Sequence, residues 1–226
     1  MRAMRFLLVL LVPFILLDAQ AGPATVDLTL LPNDDTFVRD KPGERDVNLD
    51  GHGCQILITA EGFPTGVPVD VGYLRFDLSN LSGEVTSARL RVYNRVSPGS
   101  RVTVAAYGTV GDDWNGVTAG LGDEATLTWN NAPAEDRWLG EQAGASRPAW
   151  IEFDGPELAA YVNEQRAGDG LVTFRVQVTS TGLADICILE DRENGGGTGN
   201  LPELVVEVSA GRKTLYLPLI TRWRVR

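Results

Sequence analysis

The sequence predicts an all-β fold, a sandwich or barrel with one helix set into it. Two observations carry this prediction. Apolar residues recur at every second position in several short runs, the period of a strand with one buried face. Clusters of Asn, Gly, Ser and Pro divide those runs, and only one stretch has helical spacing. Many short strands separated by frequent turns favour a sandwich or barrel over an alternating α/β fold.

The runs justify themselves one at a time. Leu74, Phe76 and Leu78 alternate with polar neighbours, as do Ala88, Leu90 and Val92. The clearest case sets Val172, Phe174, Val176 and Val178 against Thr173, Arg175, Gln177 and Thr179; Leu204, Val206 and Val208 close the series. Turn signals lie between them at residues 80–83, 97–99 and 194–199. The helical stretch is residues 156–167, with Leu158, Tyr161 and Val162 on one face. Asp154 and Glu157 have the spacing of a capping box at its start, and Gly168 is placed to stop it.

Both ends of the chain differ from this body. Arg2 and Arg5 precede an apolar run at residues 6–17, followed by Ala19-Gln20-Ala21. The run is shorter than the roughly 20 residues a membrane span needs, and it has the form of a signal peptide, residues 1–21, cleaved before Gly22. The expectation is a secreted or extracellular protein that does not span a membrane. The end, residues 209–226, is basic: Arg212, Lys213, Arg222, Arg224 and Arg226 stand there without an acid. Such a tail suits contact with anionic cell-envelope polymers and attachment to the cell surface.

After cleavage the chain holds 18 Lys+Arg and 29 Asp+Glu, and its body alone is more acidic still. That charge argues against nucleic acid, whose phosphates would be repelled, and is compatible with calcium or neutral sugars. Export also bears on the two cysteines. Outside the cytosol, Cys54 and Cys187 are expected to form a disulfide, since two thiols and one histidine cannot complete a zinc site.

Several blocks of sequence carry a resemblance. "DDTFVRD" (residues 34–40) is followed by an Asn/Gly loop and "ILIT", then by "GYLRFDLSNL" (72–81) and "VTSARLRVY" (85–93). Next come "DDWN", "LTWNNAPA" (127–134), "IEFDGPELAAYV" (151–162), "GLVTFRV" (170–176) and "LEDRENGG…LPELVVEV" (189–208). In this order they resemble the DNRLRE domain, also classed as carbohydrate-binding module family 96, over about residues 32–208. The domain so outlined is residues 22–208. The resemblance implies a jelly-roll β-sandwich and a non-catalytic role in exported proteins, often beside enzymes that degrade polysaccharides. It also implies a carbohydrate ligand, which for members known to bind sugar is an acidic polysaccharide such as alginate.

The chemistry-bearing residues agree with the absence of catalysis. His52 is the single histidine and lies in a Gly-rich acidic loop, with no Ser or Cys in a nucleophile context. For sugar binding, Trp138 lies in the polar "AEDRWLGE", read as a loop, and is the aromatic best placed for exposure. Trp114 and Trp129 read as core at the sandwich edge, and Trp150 stands outside the family pattern. Tyr73 and Arg75 point away from Leu74 and Phe76, so an open sheet face would add Tyr73, Arg75, Arg89 and Arg91 to a binding platform. For calcium, Asp46, Asn48, Asp50 and Gly51 spell the first half of a calcium loop, but its position 12 is Leu57. A structural calcium there needs a remote acid, the available ones being Asp34, Asp35, Asp154 and Glu193. Asp154 reads first as the cap of the helix, a role that needs no metal. The expectation is therefore a secreted, non-catalytic polysaccharide-binding module. The alternative is a cell-surface or extracellular-matrix scaffold or adhesion protein without a glycan site.

Overall fold

The structure, a computed structural model, describes residues 24–49, 55–59, 69–95, 102–111, 114, 126–143, 148–180, 186–192 and 199–209. The signal-peptide reading, Asp50, His52, Cys54, Glu193 and the basic tail after Ser209 lie outside the described residues. Within them run β1 (Thr25–Leu30), β2 (Asp34–Asp40), β3 (Gln55–Thr59), β4 (Val69–Asp77), β5 (Val85–Asn94) and β6 (Thr103–Thr109). Further along are β7 (Glu135–Ala143), β8 (Ala149–Asp154), α1 (Pro156–Ala167), β9 (Leu171–Val178), β10 (Ile186–Glu190) and β11 (Glu203–Ser209). No helix among them is long and apolar enough to cross a membrane.

Backbone pairing runs β1-β11-β5-β10-β3-β4-β9-β6-β7, with β8 added on β5 and β2 on β4. Every pair described is antiparallel. The ladder is narrow at two places. Among the described residues β10 is in register with β5 at the single pair Leu189–Asn94, and β3 with β4 at Thr59–Asp70. There the sheet folds over, giving a first layer of β1, β11, β5 and β8 and a second of β2, β4, β9, β6 and β7. The chain crosses between the layers repeatedly, from β1 to β2, β4 to β5, β5 to β6, β7 to β8 and β8 to β9, as in a jelly roll. The protein is an all-β sandwich with one short helix.

The alternation seen in the sequence fills the space between the layers. Leu90, Val92, Phe153, Leu204 and Val206 from the first layer meet Leu74, Phe76, Val104, Phe174 and Val176 from the second. Each such side chain contributes roughly 1.5–3 kcal/mol of apolar burial, so this shared row dominates the stability. Phe174 lies edge-on to both Phe76 and Tyr161, at 5.8 Å in each case.

Helix α1 keeps its predicted bounds and buries Leu158, Ala159, Tyr161 and Val162, but it starts by a different device. Asp154 is the exposed last residue of β8, and Gly155 holds the N-cap with φ 125°, without a side-chain capping bond. Pro156 then opens the helix with a pre-set backbone. The left-handed turn at Gly155 carries the chain from strand to helix within one residue, which leaves Asp154 outside the cap. Tyr161 pins the helix to the second layer. Its hydroxyl accepts from the Thr109 amide and donates to the Thr173 carbonyl, both at 3.0 Å. Gly108 makes room for that ring, since a Cβ there would lie 2.6 Å from it. Replacing Tyr161 with Phe strands both backbone groups and is expected to cost about 1–3 kcal/mol in chemical denaturation.

Candidate functional site

The outer surface of the second layer holds the candidate site, and half of it is roofed. Cross-strand register places Tyr73, Arg175, Tyr107 and Trp138 in one row across β4, β9, β6 and β7. Over β2 and β4 a second core forms from Val38, Val71, Tyr73, Trp114 and Leu127, with Val69, Trp129 and Ala132 against it. The roof comes from the connection between β6 and β7. Trp114 and Trp129 thus take the core positions the sequence suggests for them.

This roof corrects the expectation for Tyr73 and Arg75. Both point outward from the sandwich, yet they are only 2% and 1% exposed. Tyr73 donates its hydroxyl to the Pro133 carbonyl at 2.9 Å. Arg75 is ion-paired with the equally buried Asp34, its Nε 2.9 Å from Oδ2, and its guanidinium lies 4.7 Å from the Trp114 ring centre. No sugar reaches either residue without lifting the roof. Burial pushes the Tyr73 hydroxyl up to about 12 from 10.0.

The half calcium motif has a structural occupation of its own. Asp46 Oδ1 accepts from Asn130 Nδ2 at 2.7 Å, and Asn48 donates to the Leu127 carbonyl at 2.9 Å. The Asn130 amide returns a bond to the Arg45 carbonyl, while Asn131 closes its own turn onto Thr126 and Thr128. The loop after β2 is therefore stitched to "TWNNAP", holding the roof down from its far side. Asp35 lies elsewhere, buried on β2 opposite Leu74, with Oδ2 accepting from the Arg192 amide at 2.8 Å. Among the described residues no three His, Cys, Asp or Glu side chains are grouped to hold a metal. Cys187 is buried in β10 opposite Ile58, and its expected partner Cys54 lies outside the described residues.

The remaining half of the surface lies over β9, β6 and β7, where the Arg175 side chain is 18% exposed. Trp138 is 55% exposed there. It lies on strand β7 rather than in a polar loop. β7 is an edge strand with Leu139 as its buried apolar residue, so polar residues stand on both its faces and hide the alternation. Beside Trp138 in the row are Tyr107 and Arg175. The Arg175 Nη2 donates to Gln177 Oε1 at 2.8 Å, and its Nη1 lies 3.5 Å from Glu135. A flat ring on β7 and, two strands away on β9, a planar guanidinium beside an amide are the means to hold a sugar chain by stacking and by directed hydrogen bonds.

Arg89 and Arg91 do not share this surface. They lie on β5, on the outer face of the first layer, across the sandwich from Arg75. A charge ladder occupies them there. Arg91 donates to Glu152 at 2.9 Å and to Glu203 at 2.6 Å, while Arg89 lies 3.5 Å from Glu152. The Arg91 guanidinium also covers Trp150 at 4.3 Å, and Tyr93 meets the same ring edge-on. No local pattern announces the Trp150 stack, because Trp150 and Arg91 are 59 positions apart and only strand register brings them together.

An all-β sandwich with one open, aromatic and guanidinium-bearing face has the form of a sugar-binding module. Residues 26–207 match the model of carbohydrate-binding module family 96, and the chain belongs to that family. It is 29% identical over 195 residues to a gellan lyase from a Bacillus species, a match covering 83% of this chain and 7% of the lyase. The chain thus spans a small fraction of that relative. Among solved structures it is similar to a cleaved adhesin domain of Lys-gingipain from Porphyromonas gingivalis, at 13% identity and a TM-score of 0.33, covering 83% of this chain and 99% of that domain. A second cleaved adhesin domain of Lys-gingipain gives 12% identity and a TM-score of 0.24, with 80% and 88% covered.

Two measurements probe the roof. Asp34→Ala leaves the buried Arg75 charge without its carboxylate and is expected to lower stability by about 3–5 kcal/mol, read by urea denaturation. Tyr73 gives a pH signature. Its folded value lies above its unfolded one, so its stabilisation is complete below pH 10 and is lost as pH rises toward 12. Alkaline denaturation of Tyr73→Phe is expected to lack that part of the decline.

Proposed function

We propose that this chain is an exported, non-catalytic module that binds polysaccharide on the open surface of β9, β6 and β7. Trp138 carries the reading. It is 55% exposed, and among the described residues no ring or guanidinium stacks on it. Arg175 and Gln177, across β6 on β9, are directional partners for sugar hydroxyls and for the carboxylate of an acidic polysaccharide. The acidic body offers no long-range attraction to a polyuronate, so retention rests on these local contacts. Membership of a carbohydrate-binding family supports the ligand class, and the resemblance to a small part of a gellan lyase supports a role apart from the lyase's chemistry. The basic end suits attachment to anionic envelope polymers, and calcium is a candidate bridge between carboxylates on protein and polymer.

Affinity electrophoresis through gellan, alginate and a neutral glycan, each with calcium and with chelator, tests this. The wild-type chain is expected to be retarded by at least one polymer. Trp138→Ala is expected to weaken that binding at least tenfold, by roughly the stacking and burial of one ring, with an unchanged melting temperature. A wild-type chain that no glycan retards leaves the scaffold reading in place.

A further inference from the structure

The row of Trp138, Tyr107, Arg175 and Tyr73 is graded in depth. Trp138 on the edge strand β7 is 55% exposed, Tyr107 is half-buried, the Arg175 side chain is 18% exposed, and Tyr73 is 2% exposed. A ligand laid along the row from β7 sinks as it goes. It is stopped at β4, where the roof closes through the bond from Tyr73 to the Pro133 carbonyl. From Trp138 to Arg175 is two strand spacings, about 10 Å, which is room for roughly two sugar rings.

The neighbouring row is closed along its length. Asp34, Arg75 and Thr173 are paired across β2, β4 and β9, and none is more than 2% exposed. A path along β9 therefore ends at the same place. Thr179 and Gln177 lead to Arg175, and the buried Thr173 lies beyond it. Arg175 stands in an inner corner, shut toward β4 and shut toward Thr173. The line along β7 stays exposed past Trp138, but it runs by Glu141, Glu135 and Asp136. Three carboxylates on one edge repel an acidic polymer laid over them.

We infer that this chain holds the end of an acidic polysaccharide and not its interior, with the terminal carboxylate on Arg175 and the following sugar toward Trp138. This deepens the polysaccharide-binding reading and rests on it. A terminal unit has one neighbour, so a corner with a single way out accepts it; an internal unit needs an exit on both sides. The guanidinium is not saturated within the chain. Nη2 donates to Gln177 and Nη1 lies 3.5 Å from Glu135, while Nε has no hydrogen-bond partner among the described residues. Glu135 is itself 47% exposed, and a long contact to so exposed a carboxylate is weak enough to yield to a bidentate uronate.

Calorimetric titration of the full chain tests this, with alginate and gellan each hydrolysed to a series of mean lengths and compared at equal sugar mass. The number of binding sites per gram is expected to rise in inverse proportion to mean length, since ends are counted and not units. Affinity for short oligomers is expected to level off at about three units, the reach of the row. Arg175→Gln is expected to weaken binding of those oligomers by roughly tenfold or more, the loss of a charged fork. Sites per gram that stay constant as the polymer is shortened overturn the inference and leave polysaccharide binding standing. Wild-type affinity in Arg175→Gln overturns it as well. Absence of binding to both polymers at every length removes the binding reading itself, and this inference with it.

Discussion

Strand β4 is buried on both of its faces, and the rest of the molecule is arranged to satisfy that constraint. Gly72, Leu74 and Phe76 face the interior of the sandwich, while Val71, Tyr73 and Arg75 face away from it with almost no exposure. A sheet in a two-layer sandwich ordinarily leaves its outer side to water. Here Trp114, Leu127, Trp129 and Ala132, from between β6 and β7, cover the outside of β2 and β4. Asn130 and Leu127 of that stretch are held by Asp46 and Asn48, which ties the loop after β2 to the same roof. The buried Arg75 is bearable because Asp34, next to it across the strands, supplies the opposite charge and Trp114 the aromatic ceiling.

The two outer surfaces consequently differ in kind. On the first layer Arg91 is engaged by Glu152, Glu203 and Trp150 together, so that surface satisfies itself. On the second, the roof stops short of β6 and β7, leaving Trp138 to water with Arg175 behind it. One layer's outer rings are thus covered from within the chain, while Trp138 on the other is left to solvent.

Much of the fold was legible because alternation is a local property. The rows ending in Leu78, Val92, Val178 and Val208 each announce one buried side, and all four are buried in the common core. Alternation also says that Tyr73 and Arg75 share the side opposite Leu74. It is silent on whether another part of the chain lies over that side, since Trp114 is 39 positions from Arg75. The same limit applied to the arginines: Arg75 and Arg91 look equivalent in sequence, and only the fold-over at β3 and β10 puts them on opposite surfaces. β7 was hidden for a different reason, as an edge strand with few buried residues has little hydrophobic pattern to read. The acidic loop was recognised by composition, but whether its oxygens serve a metal or an amide depends on Asn130, 84 residues away.

The pairing of Thr25 with Ser209 also has a mechanical side. The chain enters β1 and leaves β11 at the same end of two antiparallel neighbours. Tension applied between those points opens the pair like a zipper, loading one hydrogen-bonded step at a time instead of the whole ladder in shear. Anchored by both ends, such a module yields softly from that corner inward. Held by one end and by the outer face of β9, β6 and β7, it passes the load through those strands and spares the corner.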